Sequence, residues 1–137
     1  MARIVIDTNI ALDLLVFADP AVACLHEQLL AEKVVWLIND GMRHEFERVL
    51  SYPGIAPRLV STRQAASDVL AAYDRLTHVM EPAPLASCRC VDPDDQQFID
   101  LAVQHKAWLL SKDAAVLALR RPLHALGVQV SSTWPAP

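Results

Sequence analysis

Arg3-Ile4-Val5-Ile6-Asp7-Thr8-Asn9, almost at the start of the chain, is the stretch on which the fold turns. Ile4-Val5-Ile6 is β-branched and apolar on both alternating faces, which predicts a short buried strand from Arg3 that ends on a carboxylate at Asp7. Thr8-Asn9 then supplies helix-capping or turn chemistry ahead of Ile10 to Phe17. A strand with no polar face belongs inside a sheet that is covered on both sides.

The neighbouring segments follow the same grammar. Asp19-Pro20 pairs a cap with a first-turn proline and opens a helix from Ala21 to Ala31. Val34 to Ile38 is a second wholly apolar strand, and Met42, Phe46, Val49 and Leu50 repeat at helical spacing between Gly41 and Ser51. Pro53-Gly54 stops that helix. Pro57 to Leu76 predicts a short and a longer helix broken near Ser61-Thr62, and Thr77 to Met80 a third short strand. Asp92-Pro93 caps a helix running through Phe98, Leu101 and His105, followed by a strand from Ala107 to Ser111. A helix from Ala114 to Arg121 leads to Pro122, and Val128 to Ser131 forms a final edge strand. Strands alternating with helices predict an α/β three-layer sandwich, with a mostly parallel central sheet of four to five strands flanked by helices. A single domain is expected over residues 1–133, with Trp134-Pro135-Ala136-Pro137 as a short C-terminal tail.

Composition sets the outer bounds. At 137 residues the chain has the size of one domain, and 53% hydrophobic against 20% charged residues argues against disorder. The three cysteines, Cys24, Cys88 and Cys90, have neither zinc-knuckle nor paired disulfide spacing, so reduced thiols in a cytoplasmic protein are expected. No stretch approaches the roughly 20 apolar residues a bilayer span needs, so no membrane partner is expected. The net charge of −4 denies the chain a general electrostatic footprint for nucleic acid. That sign is still compatible with carboxylates that hold divalent cations.

Four carboxylates fall where ligands gather in such folds, at the carboxyl ends of the strands. Asp7 ends the first strand, and Asp113 follows the strand from Ala107 to Ser111. Asp95 lies in the first turn of the helix leading into that strand, although helical geometry does not choose between Asp94 and Asp95. Glu45 lies one turn into the helix after Val34 to Ile38. Each has a simpler local job: Asp7 and Asp113 as caps, Glu45 as a solvated helix residue, and Asp92 to Asp95 as a capping run with Asp92 as the cap. If they converge, their mutual repulsion calls for a proton or a hard cation such as Mg²⁺ or Mn²⁺, whose bound water can attack a phosphodiester.

In this order the segments resemble the motifs of the PIN domain family, and within it the branch of toxin components from toxin-antitoxin pairs. Ile4-Val5-Ile6-Asp7-Thr8-Asn9 is similar to the first motif. Glu45-Phe46-Glu47-Arg48-Val49-Leu50 resembles the region of the second acid. Asp92-Pro93-Asp94-Asp95-Gln96-Gln97-Phe98 resembles the third motif, which selects Asp95, and Leu109-Leu110-Ser111-Lys112-Asp113 the fourth. The resemblance implies Asp7, Glu45, Asp95 and Asp113 as catalytic metal ligands, Asn9 as a hydrogen-bonding brace, and Ser111 as the small hydroxyl residue beside the fourth acid. It also implies a Mg²⁺- or Mn²⁺-dependent endoribonuclease, RNA as substrate, a homodimer, and an antitoxin protein that covers the cleft.

The fourth motif departs from that branch, which commonly has a glycine and a further acid there; this chain has Lys112 and Ala115. Lys112, Arg43 and Arg48 are candidate contacts to substrate phosphate. The alternative function is a catalytically weakened RNA- or protein-binding module on the same fold. Phosphotransfer folds fit less well: a receiver domain needs paired acids after its first strand, and a haloacid-dehalogenase-type phosphatase needs an acid where Asn9 stands.

Overall fold

The computed structural model describes residues 1–135. Among them, five strands form one sheet: β1 (Ala2–Ile6), β2 (Val34–Ile38), β3 (Thr77–Val79), β4 (Trp108–Leu110) and β5 (Val130–Ser131). Their order is β3-β2-β1-β4-β5, and every pairing is parallel. The fold is α/β with a parallel central sheet flanked by helices, as the alternation of elements predicts. The middle strands are dry on both faces: Ile4, Val5 and Ile6 of β1 are at most 2% exposed, and Leu109 and Leu110 of β4 at most 1%.

The sheet grows from β1 toward β3 on one side and, after the chain doubles back, toward β5 on the other. The change of direction lies between β1 and β4, the position where open parallel sheets leave a crevice at their carboxyl edge. Ile6 aligns with Leu110, and the Asp7 N–H continues the ladder to the Leu110 carbonyl at 2.9 Å. Register alone therefore sets Asp7 beside Ser111.

The helices are α1 (Thr8–Leu12), α2 (Ala23–Leu30), α3 (Asp40–Val49), α4 (Ala56–Ser61), α5 (Ala66–Leu76), α6 (Gln96–His105), α7 (Ala114–Leu117) and α8 (Arg120–Ala125). The aromatic cluster of Trp36, Phe46 and Tyr73 fixes the roll of α3. Phe46 stacks on Tyr73 at 4.5 Å and Trp36 meets Tyr73 edge-on at 5.1 Å. With Met42 and Phe46 buried, Glu45 comes to the flank of α3 that faces the crevice. Ile99, Leu101 and Ala102, all fully buried, anchor α6 in the same way.

Three expectations change. The first helix starts at Thr8 because Asp7 itself caps it, accepting from the Ile10 N–H, and it widens into a π-helical turn over Asp13–Phe17. The single helix expected from Ala114 to Arg121 is two, and Pro122 lies in the first turn of α8, where a missing N–H forfeits no helical bond. Trp134, expected in a tail, packs edge-on against Trp108 at 5.4 Å and donates to Gln28 Oε1 at 2.8 Å; Ala136 and Pro137 of that tail lie outside the described residues. No single helix among the described residues is long and apolar enough to cross a membrane.

Candidate metal centre

At the carboxyl edge of β1 and β4 lies a cleft of about 180 Å³ lined by Asp7, Thr8, Asn9, Glu45, Asp95, Asp113 and the apolar Val49 and Phe98. All four acids picked from the sequence meet there. A roomier cavity of about 440 Å³ lies elsewhere, among Leu29, Val34 and Leu76, but Glu32 is its only carboxylate. Chemistry, rather than volume, makes the acidic cleft the candidate site.

Asp7 is 4% exposed and well supplied with donors. Its Oδ1 accepts from the Ile10 N–H at 2.9 Å; its Oδ2 accepts from Ser111 Oγ at 2.6 Å and from the Lys112 N–H at 3.3 Å. Burial raises its pKa above the ordinary carboxylate value, and the bonds from Ser111, Ile10 and Lys112 offset that in part. Glu45, one turn into α3, takes a short hydrogen bond from the Thr8 hydroxyl. Both of these acids are held by donors from other segments or from the backbone.

Asp95 and Asp113 also line the cleft and, joined by Asp92 from outside its lining residues, make a second, bare wall. Asp92, Asp95 and Asp113 can each offer one oxygen such that all three lie within 4.8 Å of one another. Asp95 Oδ2 is out of contact with solvent and has no hydrogen-bond partner among the described residues. Burial, then the charges of Asp113 and Asp92, push the Asp95 pKa up to about 7, where its proton would be shared with Asp113. Three hard oxygen donors that repel one another suit a hard divalent cation, and none is a soft ligand. The Cys90 thiol faces the same charges: burial raises its pKa, the Asp92 N–H partly offsets this, and Asp95, Asp113 and Asp92 raise it further.

The local jobs and the shared one turn out to coexist. Asp113 Oδ1 caps α7 through the Ala115 N–H at 2.8 Å, and Asp92 Oδ1 caps its turn through the Asp94 N–H at 3.0 Å. A carboxylate has two oxygens, so a cap leaves one free. Between Asp94 and Asp95 the structure chooses Asp95: Asp94 is exposed and lines no part of the cleft.

A PIN domain family model matches residues 3–115. The chain belongs to the PIN domain family. No curated protein matches it. The match takes in all four PIN domain motifs read from the sequence, and the acidic cleft lies where those motifs converge.

Several supporting roles differ from expectation in this PIN domain. Asn9 lines the cleft but is exposed and, among the described residues, forms no side-chain hydrogen bond; the bracing falls to Thr8 and Ser111. Ser111 serves Asp7 as donor while accepting from the Asp113 N–H at 3.0 Å, so it spans the first and fourth acids. The Lys112 ammonium is 2.5 Å from Asp13, outside the cleft. Arg43 gives Nε and Nη2 to Asp74 at 2.8 and 3.0 Å, which occupies its guanidinium fork. Arg48 is exposed and lines no part of the cleft.

Two participants escaped the sequence reading. Asp92 stood three residues before Asp95, a spacing that shares a helical face, so a signal existed but was absorbed by its capping role. Thr8 meets Glu45 across 37 residues of chain, and no local pattern encodes that contact.

Proposed function

We propose that this PIN domain is a metal-dependent endoribonuclease that hydrolyses RNA phosphodiester bonds, with Mg²⁺ or Mn²⁺ held by Asp92, Asp95 and Asp113. The observation that carries the reading is the bare wall: three carboxylates within 4.8 Å, one with a buried oxygen that nothing satisfies. A bound hard cation would supply positive charge to a phosphoryl oxygen and lower the pKa of a water. The chain's own residues do the rest. Ser111 and the Lys112 N–H hold Asp7 fixed in the lining of the same cleft. Thr8 holds Glu45 beside the same cleft, leaving its other oxygen to orient a water or a second cation. Val49 and Phe98 give the cleft its apolar lining.

The resemblance of the ordered motifs to the toxin branch supports a further reading: a toxin restrained by an antitoxin that covers the cleft, working as a homodimer in the cytoplasm.

Incubating the protein with a panel of structured and unstructured RNAs in Mg²⁺ or Mn²⁺, beside EDTA and Asp95→Asn controls, tests the activity. Cleavage abolished in both controls is expected. Cleavage that persists in Asp95→Asn would place the activity elsewhere, and a folded protein that binds Mn²⁺ yet cleaves no RNA would favour the binding-module reading.

A further inference from the structure

Lys112 stands between Ser111, which serves Asp7, and Asp113, which belongs to the bare wall. Its side chain leaves the cleft and ends on Asp13, with Nζ and Oδ2 2.5 Å apart. The lysine side chain is 48% exposed but the Asp13 side chain only 15%, so the acid is the anchored partner. Asp13 is fixed from both directions along the chain. Its N–H returns to the carbonyls of Asn9 and Ile10, ending the helix that Asp7 caps, and its carbonyl accepts from the Ala18 and Asp19 N–H groups that close the π-helical turn.

The 111–113 loop is thus tied to the segment beginning at Asp7 in two places. One tie is made at Asp7 itself, by Ser111 Oγ and the Lys112 N–H; the other is made six residues later, at Asp13. Two ties along one segment fix the loop's orientation as well as its distance, as a single tie does not. One residue beyond Lys112 stands Asp113, whose N–H reaches Ser111 Oγ at 3.0 Å and whose Oδ1 caps α7, leaving its other oxygen to follow the loop.

We propose that Asp13 is a positioning residue, which acts through Lys112 to set Asp113 against Asp95 and Asp92 at the spacing a cation needs. The proposal rests on the cation site described above. It differs from a simple charge effect in sign. If the pair acted only through its charges, removing the lysine would tighten cation binding and removing the acid would weaken it. A latch fails whichever half is lost.

The test is Mn²⁺ titration by calorimetry of the wild type, Asp13→Asn, Lys112→Met and the double variant, with thermal melts in EDTA to verify folding. Both single variants are expected to bind Mn²⁺ about tenfold more weakly, as is usual when a group orienting a ligand is lost. The double variant should be no weaker than the worse single, because one latch can be opened only once. Asp13→Glu, which can still reach the lysine, should recover most of the affinity. Binding unchanged or tightened in Lys112→Met, or losses that add in the double variant, would overturn the positioning role while leaving the cation site standing. A wild type that binds no Mn²⁺ would overturn the site and the latch together. Should Asp13→Asn fail to fold, Lys112→Met alone carries the sign test.

Discussion

The two walls of the cleft carry the same functional group in opposite states. On one, Asp7 accepts three hydrogen bonds and Glu45 one, so their charges are answered in part by the protein itself. On the other, Asp92 and Asp113 each spend one oxygen on a cap, and Asp95 Oδ2 is buried with no partner. The bonded wall is prepared by the fold; the bare wall is left for something added. Folding cost is concentrated at Asp95, where like charges and burial act together, and a cation or a proton is what relieves it.

The largest effect should come from the bare wall. Asp95→Asn is expected to lower Mn²⁺ affinity by at least about a hundredfold, and RNA cleavage with it. Without metal, above pH 7, the same variant should be more stable than the wild type in urea unfolding, because a repelled charge has been removed. A destabilised Asp95→Asn protein would break the contrast between the walls.

Next comes the bonded wall, with the opposite sign. Ser111→Ala deletes a buried donor to Asp7 and should cost about 1–3 kcal/mol of stability, measured by urea unfolding in EDTA. If Ser111→Ala proves neutral, Asp7 does not depend on its bonds in the way described.

The pH dependence follows from Asp95. Its folded pKa of about 7 lies above the ordinary aspartate value of 3.8, so between those values the folded state holds a proton that the unfolded state does not. The stability contributed by that proton is fully present below pH 3.8 and is lost as pH rises through 7. From this group, then, the metal-free protein should lose stability between pH 5 and pH 8, and the gain in melting temperature on adding Mg²⁺ should be greater at pH 8. Equal gains at both pH values would argue that Asp95 is not where proton and metal compete.

The smallest effects should come from Asn9→Ala and Arg43→Ala. Asn9 holds nothing through its side chain, and Arg43 is spent on the partly exposed Asp74, a pair worth about 0–1 kcal/mol. Cleavage rates for both should stay within about twofold of the wild type, since neither change reaches the carboxylates. A tenfold loss in Arg43→Ala would restore the arginine to substrate contact.

Much of this architecture is legible in the sequence alone. Period decided the elements: Ile4-Val5-Ile6 has no polar face, so β1 had to lie inside a covered sheet. Met42, Phe46 and Leu50 share one face, so α3 had to roll that face inward. Strand-to-helix order then implied a parallel sheet with its acids along one edge. Caps were legible too, since Asp19, Asp92 and Asp113 each act over two residues.

What the chain's local pattern could not carry is everything made at long range. Ser111 meets Asp7 across 104 residues, Lys112 meets Asp13 across 99, and Trp134 meets Gln28 across 106. Sequence determined that these carboxylates would stand at one edge of a covered parallel sheet, because side-chain period and strand order are local properties. Only tertiary structure decided which of them are bonded and which bare, because that depends on donors brought from distant segments to within about 3 Å, a distance no periodicity encodes.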